Sequence, residues 1–170
     1  MPRKIRVKKT YNELVWLVDY NDGVIDKQYS KEGDDIEKVF EDYCNENNLE
    51  YDKKYFKKVK EESAKTILNL KYHYNRPRPH QLAEYYEIEE FDNYKLDSMH
   101  TPSYPSGHST QGHLFSLLLS KKYPKHFSEF NKLAEMISKS RLMARAHYPS
   151  DCEFGRKVAM YIAGNINRSN

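Results

Sequence analysis

The stretch 128–151, SEFNKLAEMISKSRLMARAHYPSD, decides the fold. Phe130, Leu133, Ile137 and Ala144 recur at helical spacing, so the segment from about Ser128 to Ala146 reads as a helix with one apolar face. Arg141 falls within that face rather than opposite it. An arginine so placed points inward, and two outcomes are open. Its stem can snorkel along the stripe while the guanidinium reaches water, or its head is buried with an anion. Snorkelling is the better account of a lone arginine, and the flanking sequence shows that Arg141 is not alone.

Outward from this stretch the chain remains helical. A further helix begins near Ser150 or Asp151 and carries Phe154, Val158 and Tyr161 towards the end of the chain. Upstream, Pro105-Ser106-Gly107 opens a helix that runs to about Tyr123, where Pro124 closes it. A longer helix spans about Asp52 to Tyr74, with Phe56, Val59, Ile67, Leu70 and Tyr74 in one stripe and Lys71 at its edge. Arg76-Pro77-Arg78-Pro79 ends it, because a proline disfavours helical geometry in the residue before it. Asp34 or Asp35 can cap a short helix through about Cys44. The acidic, tyrosine-rich connection from His80 to Tyr104 includes a short helix around Leu82 to Tyr86. It is either a solvated link or a lid over a leaving-group pocket. Near the N-terminus, Val15 to Tyr20 and Val24 to Tyr29 flank Asn21-Asp22-Gly23, a combination that reads as a small β-hairpin. The expected fold is therefore mainly α, a single-domain helical bundle. Residues 1–33 form a basic segment with the hairpin, and residues 34–170 form the helical domain.

Composition narrows the function classes. Of 170 residues, 38% are hydrophobic and 14% aromatic, including fifteen tyrosines, which is too aromatic for a disordered chain. Six glycines leave little room for a turn-rich β fold. The longest nearly unbroken apolar run, 114–119, is far short of the roughly 20 residues that a spanning helix needs. Arg3, Lys4, Arg6, Lys8 and Lys9 supply five positive charges without an acid, and the remaining chain holds 23 basic and 25 acidic residues. Basicity is thus local to the N-terminus. The five apolar residues from Leu14 to Val18 are too few for a secretory signal, whose apolar region takes about 7–15. Cys44 and Cys152 make neither a disulfide framework nor a metal-ligand pair, and a cytoplasmic location is expected.

The chemistry gathers around three cations. Lys71 borders an apolar face, Arg78 follows a helix-ending proline and Arg141 points inward, yet the neighbouring segments offer only Asp151 as a counter-charge. Unpaired and desolvated, such groups would cost several kcal/mol each in order of magnitude. A bound anion would answer this, and Ser106 with Gly107 at a helix start suits one. Phosphate matches the arginine fork. His108 follows the anion-binding turn, and His147 lies four residues before Asp151. A neutral imidazole held by an acceptor such as Asp151 can attack phosphorus, while a second histidine protonates the departing oxygen.

These residues resemble a known family. Lys71, six residues, then Arg78-Pro79 is similar to the first motif of the type 2 phosphatidic acid phosphatase superfamily. Pro105-Ser106-Gly107-His108 resembles its second motif, and Ser140-Arg141, five residues, His147, three residues, Asp151 its third. That superfamily includes bacterial class A acid phosphatases and vanadium-dependent haloperoxidases. The resemblance implies the helical bundle of that type, hydrolysis of phosphate monoesters with diphosphates as a further substrate class, and a small phosphorylated substrate. It implies His147 as the nucleophile forming a phosphohistidine, Asp151 as its orienter and His108 as the general acid. Lys71, Arg78, Ser106, Gly107 and Arg141 would hold the phosphoryl oxygens. No metal or other cofactor is implied, and vanadate is expected to inhibit as a five-coordinate mimic. Two alternatives remain. One is a vanadium-dependent haloperoxidase with vanadate as cofactor in the same pocket. The other is a nucleic-acid or anionic-surface binding module built on the basic N-terminus, although no stable nucleic-acid partner is expected. His73, His80, His100, His113 and His126 are read as ordinary surface or partly buried histidines.

Overall fold

The computed structural model describes residues 7–88 and 91–166, with side chains from residue 9 onwards. In chain order the helices are α1 (Val7–Asp19), α2 (Lys27–Glu32), α3 (Ile36–Glu46), α4 (Lys53–Tyr74), α5 (Pro79–Tyr85), α6 (Gly107–Lys122), α7 (Phe127–Met143) and α8 (Pro149–Ile166). Single 3₁₀ turns lie at Asp97–His100 and Pro124–His126. Side-chain caps fix several starts: Asp35 accepts from Lys38 N at 3.1 Å, Asp52 from Tyr55 N at 2.9 Å and Ser106 from Ser109 N at 3.3 Å. No helix of the described residues is long and apolar enough to cross a membrane.

The central element is α6. Its buried residues lie all round the helix, including Ser109, Thr110, His113, Leu114, Phe115 and Leu119. It packs most extensively on α7 and α8, and also on α3 and α4. The core closes on aromatic rings, with Phe115 centred 4.7 Å from Phe56 of α4 and 5.8 Å from Phe40 of α3. On α8 the buried face is Cys152, Gly155, Val158, Ala159 and Ala163, whereas Tyr161, expected inside, is 70% exposed. Small residues allow α8 to approach α6 closely, and a tyrosine on that face would hold the helices apart.

The expected hairpin is absent. No strand occurs among the described residues, and α1 and α2 flank the turn instead. The turn chemistry itself holds: Asn21, Asp22 and Gly23 all have positive φ, at 56°, 55° and 75°. What decides between strand and helix is the buried set upstream, Thr10, Leu14 and Leu17, which follows a helical period while Val15 and Trp16 stay exposed. Leu14 and Leu17 pack with Ala83 and Tyr148, which docks α1 beside α5 and the start of α8. Arg3, Lys4, Arg6 and the Lys8 side chain lie outside the described residues.

Candidate active site

Three helix junctions supply the predicted residues. The last turn of α4 carries Lys71, and Asn75 then adopts a left-handed conformation with φ 44° that ends the helix, its N–H returning to Lys71 O at 2.8 Å. Pro77 and Pro79 leave Arg78 in extended backbone just before α5. The N-terminus of α6 presents Ser106, Gly107 and His108. The last turn of α7 carries Arg141, and the turn into α8 carries His147 and Asp151. The starts of α6 and α8 are joined directly, because Ser106 N donates to Asp151 O at 3.0 Å. Gly155 permits this approach: a Cβ there would lie 2.9 Å from Ser106 O and 3.0 Å from Thr110 Oγ1.

His147 is buried between a donor and an acceptor. Its Nδ1 lies 3.1 Å from Asp151 Oδ2, and its Nε2 lies 2.9 Å from Arg78 Nη1. A carboxylate only accepts and a guanidinium only donates. Nδ1 therefore bears the proton, and the Nε2 lone pair faces the cations. Burial holds the imidazole well below its usual pKa, and the charges of Arg78, Lys71, His108 and Arg141 lower it further. All four groups thus bear on one neutral ring.

The cations themselves are met mostly by carbonyls. Lys71 Nζ donates to Pro102 O at 2.5 Å. Arg78 donates to Thr101 O at 2.8 Å, Ala146 O at 2.8 Å and Ser98 O at 3.0 Å. Burial, and then the Arg78 charge, lower Lys71 to about 7, while burial brings Arg78 to about 10. Asp151 offers them little direct relief. Its Oδ2 accepts from Ser103 Oγ, Tyr148 N and His147 Nδ1, and its Oδ1 accepts from Arg76 Nη1. Lys71 and Arg78 are thus met by backbone dipoles, with no carboxylate bonded to either.

Arg141 departs from the sequence-based expectation. Its head is buried with an anion, and that anion is a protein carboxylate: Nη1 lies 2.8 Å from Asp34 Oδ1, with Nη2 on Ser30 O at 2.5 Å and Nε on Ser140 Oγ at 3.0 Å. Asp151 is thus not the sole acid available to the cations, because Asp34 arrives from 107 positions away. Asp34 also meets His108, whose Nε2 lies 3.3 Å from its Oδ1 and 3.2 Å from its backbone O. The His108 hydrogen bond and the Arg141 charge hold the Asp34 carboxyl down to about 2. Burial lowers the His108 pKa, Arg141 adds to this, and Asp34 opposes it. Gly33 makes the arrangement possible, since a Cβ there would stand 2.2 Å from Ser140 Oγ and 3.0 Å from Ile137 Cα.

The α6 terminus also differs in detail. The Ser106 amide is committed to Asp151 O and its hydroxyl caps the helix, so Ser106 serves first to join α6 to α8. The amides of Gly107 and His108, as the first two helical residues, have no acceptor within their own helix. Sequence reasoning missed Asp34, Arg76, Glu13 and Ser103. Arg76 stands inside a quoted motif, Asp34 reads in the sequence only as a candidate cap for α3, a role that Asp35 fills, and Glu13 carries no local signal. His113 and His126 have structural partners, Ser138 Oγ at 3.5 Å and Tyr43 Oη at 2.9 Å respectively. Among the described residues, no group of three or more His, Cys, Asp or Glu is placed to hold a metal ion.

Comparison with known proteins places the chain in a family. Over 90 residues the chain is 34% identical to a non-specific acid phosphatase of Salmonella typhimurium, which covers 53% of this chain and 35% of the relative. A non-specific acid phosphatase of Salmonella typhi matches at 33% over 90 residues, with the same coverage. The chain thus spans about a third of the length of these curated relatives. The model of the PAP2 superfamily matches residues 63–169, which contain all three motifs. By motif order, helical architecture and this match over more than half its length, the chain belongs to the PAP2 superfamily.

Proposed function

We propose that the protein hydrolyses phosphate monoesters, and diphosphates by the same chemistry, through a phosphohistidine on His147 and without a metal ion. The observation that carries this reading is the His147 ring, held as the Nδ1–H tautomer by Asp151 with Nε2 on Arg78, while the charges of Lys71 and Arg141 also bear on it. The name of the two relatives supports the same reaction class. In the first step, Nε2 forms a bond to phosphorus while the phosphorus–ester oxygen bond breaks, and the departing oxygen takes a proton from His108. Arg78 shifts its donor from Nε2 to a phosphoryl oxygen. Lys71, Arg141 and the first amides of α6 hold the charge of the five-coordinate transition state. In the second step, water gives its proton to His108 and bonds to phosphorus, and the phosphorus–Nε2 bond breaks to release phosphate.

His108 Nε2 is held by Asp34, which leaves Nδ1 to carry the transferred proton. Asp34 and an incoming dianion both favour the protonated ring that this step needs. We place the leaving group towards a cleft of about 610 Å³ that Asp34 joins to His108, lined by Lys31, Lys60 and Lys95 and by Asp35, Glu37 and Asp97, with Tyr94 beside them. Part of the 80–104 connection thus forms a wall of that cleft. His108→Ala should slow esters with poor leaving groups by about 10²-fold or more and aryl esters much less. A uniform loss across a leaving-group series would remove His108 from the acid role.

The Lys71 pKa of about 7 gives a second expectation. A bound dianion stabilises the charged ammonium, so Lys71 takes up a proton on binding at any pH above about 7. Affinity for tungstate, which does not itself titrate there, should fall as pH rises above that point, by a factor approaching tenfold per pH unit. Calorimetry in buffers of different ionisation enthalpy should show proton uptake near pH 8–9, approaching about one proton per anion. A flat pH dependence would mean that Lys71 is already charged in the free site.

The deciding experiment for the activity is phosphate release from sugar phosphates, nucleotides, inorganic diphosphate and short-chain lipid phosphates. It is run with and without a chelator and vanadate, beside an assay of bromide oxidation by peroxide. Release that survives chelation and is stopped by vanadate supports the proposal. Bromide oxidation dependent on added vanadate, without phosphate release, would replace it with the haloperoxidase reading.

A further inference from the structure

The side of Asp151 that faces away from the substrate is held by residues to which no role has yet been given. Asp151 Oδ1 accepts from Arg76 Nη1 at 2.5 Å. Arg76 is 3% exposed, and its guanidinium carbon lies 3.9 Å from the centroid of the Tyr148 ring. Its other nitrogen, Nη2, donates to Glu13 Oε2 at 2.9 Å and Thr10 Oγ1 at 3.1 Å. Glu13 also accepts from Ser150, whose N donates to Oε1 and whose Oγ donates to Oε2, both at 2.8 Å. A carboxylate of α1 thus caps the N-terminus of α8, where negative charge is favoured, and holds the arginine that holds Asp151. Thr10 and Glu13 lie one helical turn apart on α1, which is outside the 63–169 family match.

A buried ion triad is a weak source of net stability, because desolvation offsets most of the attraction. Its directional donors do, however, fix orientation. Four donors converge on Asp151, and only with its carboxylate plane fixed does Oδ2 stay on His147 Nδ1. We propose that Arg76 and Glu13 are positioning residues for the reaction: Arg76 fixes the Asp151 carboxylate that orients His147, and Glu13 of the N-terminal helix fixes Arg76. This inference rests on the reading of His147 as the nucleophile.

The test uses the full chain with Glu13→Gln, Arg76→Lys and the double variant. Steady-state kinetics on p-nitrophenyl phosphate are measured beside ¹⁵N NMR of the histidine side chains in the protein without ligand. Glu13→Gln should lower kcat by about 5- to 20-fold and Arg76→Lys by about 50- to 500-fold, with KM and vanadate inhibition within about threefold of the unmutated values. Because Glu13 acts through Arg76, the double variant should be no worse than Arg76→Lys by more than about twofold. The hydrogen-bonded Nδ1–H resonance of His147 should shift in each variant, an effect that a purely structural cap would not produce.

Unchanged kcat in the folded variants, a loss carried by KM, or losses that multiply in the double variant would overturn the proposal. If Arg76→Lys does not fold, Glu13→Gln decides by the same two readouts. If the unmutated protein releases no phosphate, the phosphatase reading fails, while the NMR measurement still tests the brace by itself.

Discussion

His147→Ala is expected to lower hydrolysis of every phosphate monoester by at least about 10⁴-fold, because removing a covalent nucleophile cannot be compensated by binding alone. The protein should remain folded. His147 makes two side-chain bonds, and both partners retain others: Asp151 keeps Arg76, Ser103 and Tyr148 N, and Arg78 keeps the Thr101, Ala146 and Ser98 carbonyls. The stability loss should therefore stay near about 1–3 kcal/mol, detectable as a modest fall in Tm. Protein denatured in alkali after incubation with a radiolabelled monoester should carry alkali-stable, acid-labile phosphate only when His147 is present. Turnover near the unmutated rate in a folded His147→Ala protein would refute the nucleophile assignment.

Arg141→Lys is expected to lower kcat/KM by about 10²- to 10³-fold even though the charge is kept. The planar fork of Arg141 reaches three acceptors at once, Asp34 Oδ1, Ser30 O and Ser140 Oγ, and a lysine ammonium has neither that reach nor paired donors in one plane. The loss should be larger still for Arg141→Ala, and the vanadate inhibition constant should rise in proportion as kcat/KM falls, since both report on the five-coordinate state. Global unfolding is not the expected cause. Asp34 is 48% exposed and can be hydrated once its partner is removed. A rate unaltered by Arg141→Lys would take this residue out of the phosphoryl site.

Much of the bundle could be read from local signals, because those signals have local causes. Asp52 and Ser106 are real caps, and the periodicity of Phe130, Ile137 and Arg141 describes a face that is buried in the fold. The burial of Lys71, Arg78 and Arg141 was legible for the same reason, whereas the carboxylate that Asp34 brings to Arg141 was not. The turn at Asn21-Asp22-Gly23 was legible as a left-handed reversal, but such a reversal follows a helix as readily as a strand, and the six residues on each side were too few to fix the period. Tyr161 groups with Phe154 and Val158 in the sequence, but the buried face of α8 follows the small residues Gly155, Ala159 and Ala163, which let it approach α6, and leaves Tyr161 outside. Asp34, Glu13 and the inward turn of Arg76 depend on contacts across 60 to 140 positions of chain, and no local pattern encodes them.

Asp34 gives the Arg141 guanidinium a resident anion. Under the proposed reaction, an oxyanion arriving at Arg141 would evict a tethered carboxylate, kept at high effective concentration by the seating of Gly33 on α7. That carboxylate would be in place to return as the product departs. Loss of inorganic phosphate would then be an exchange between anions, with no interval in which a buried cation stands alone.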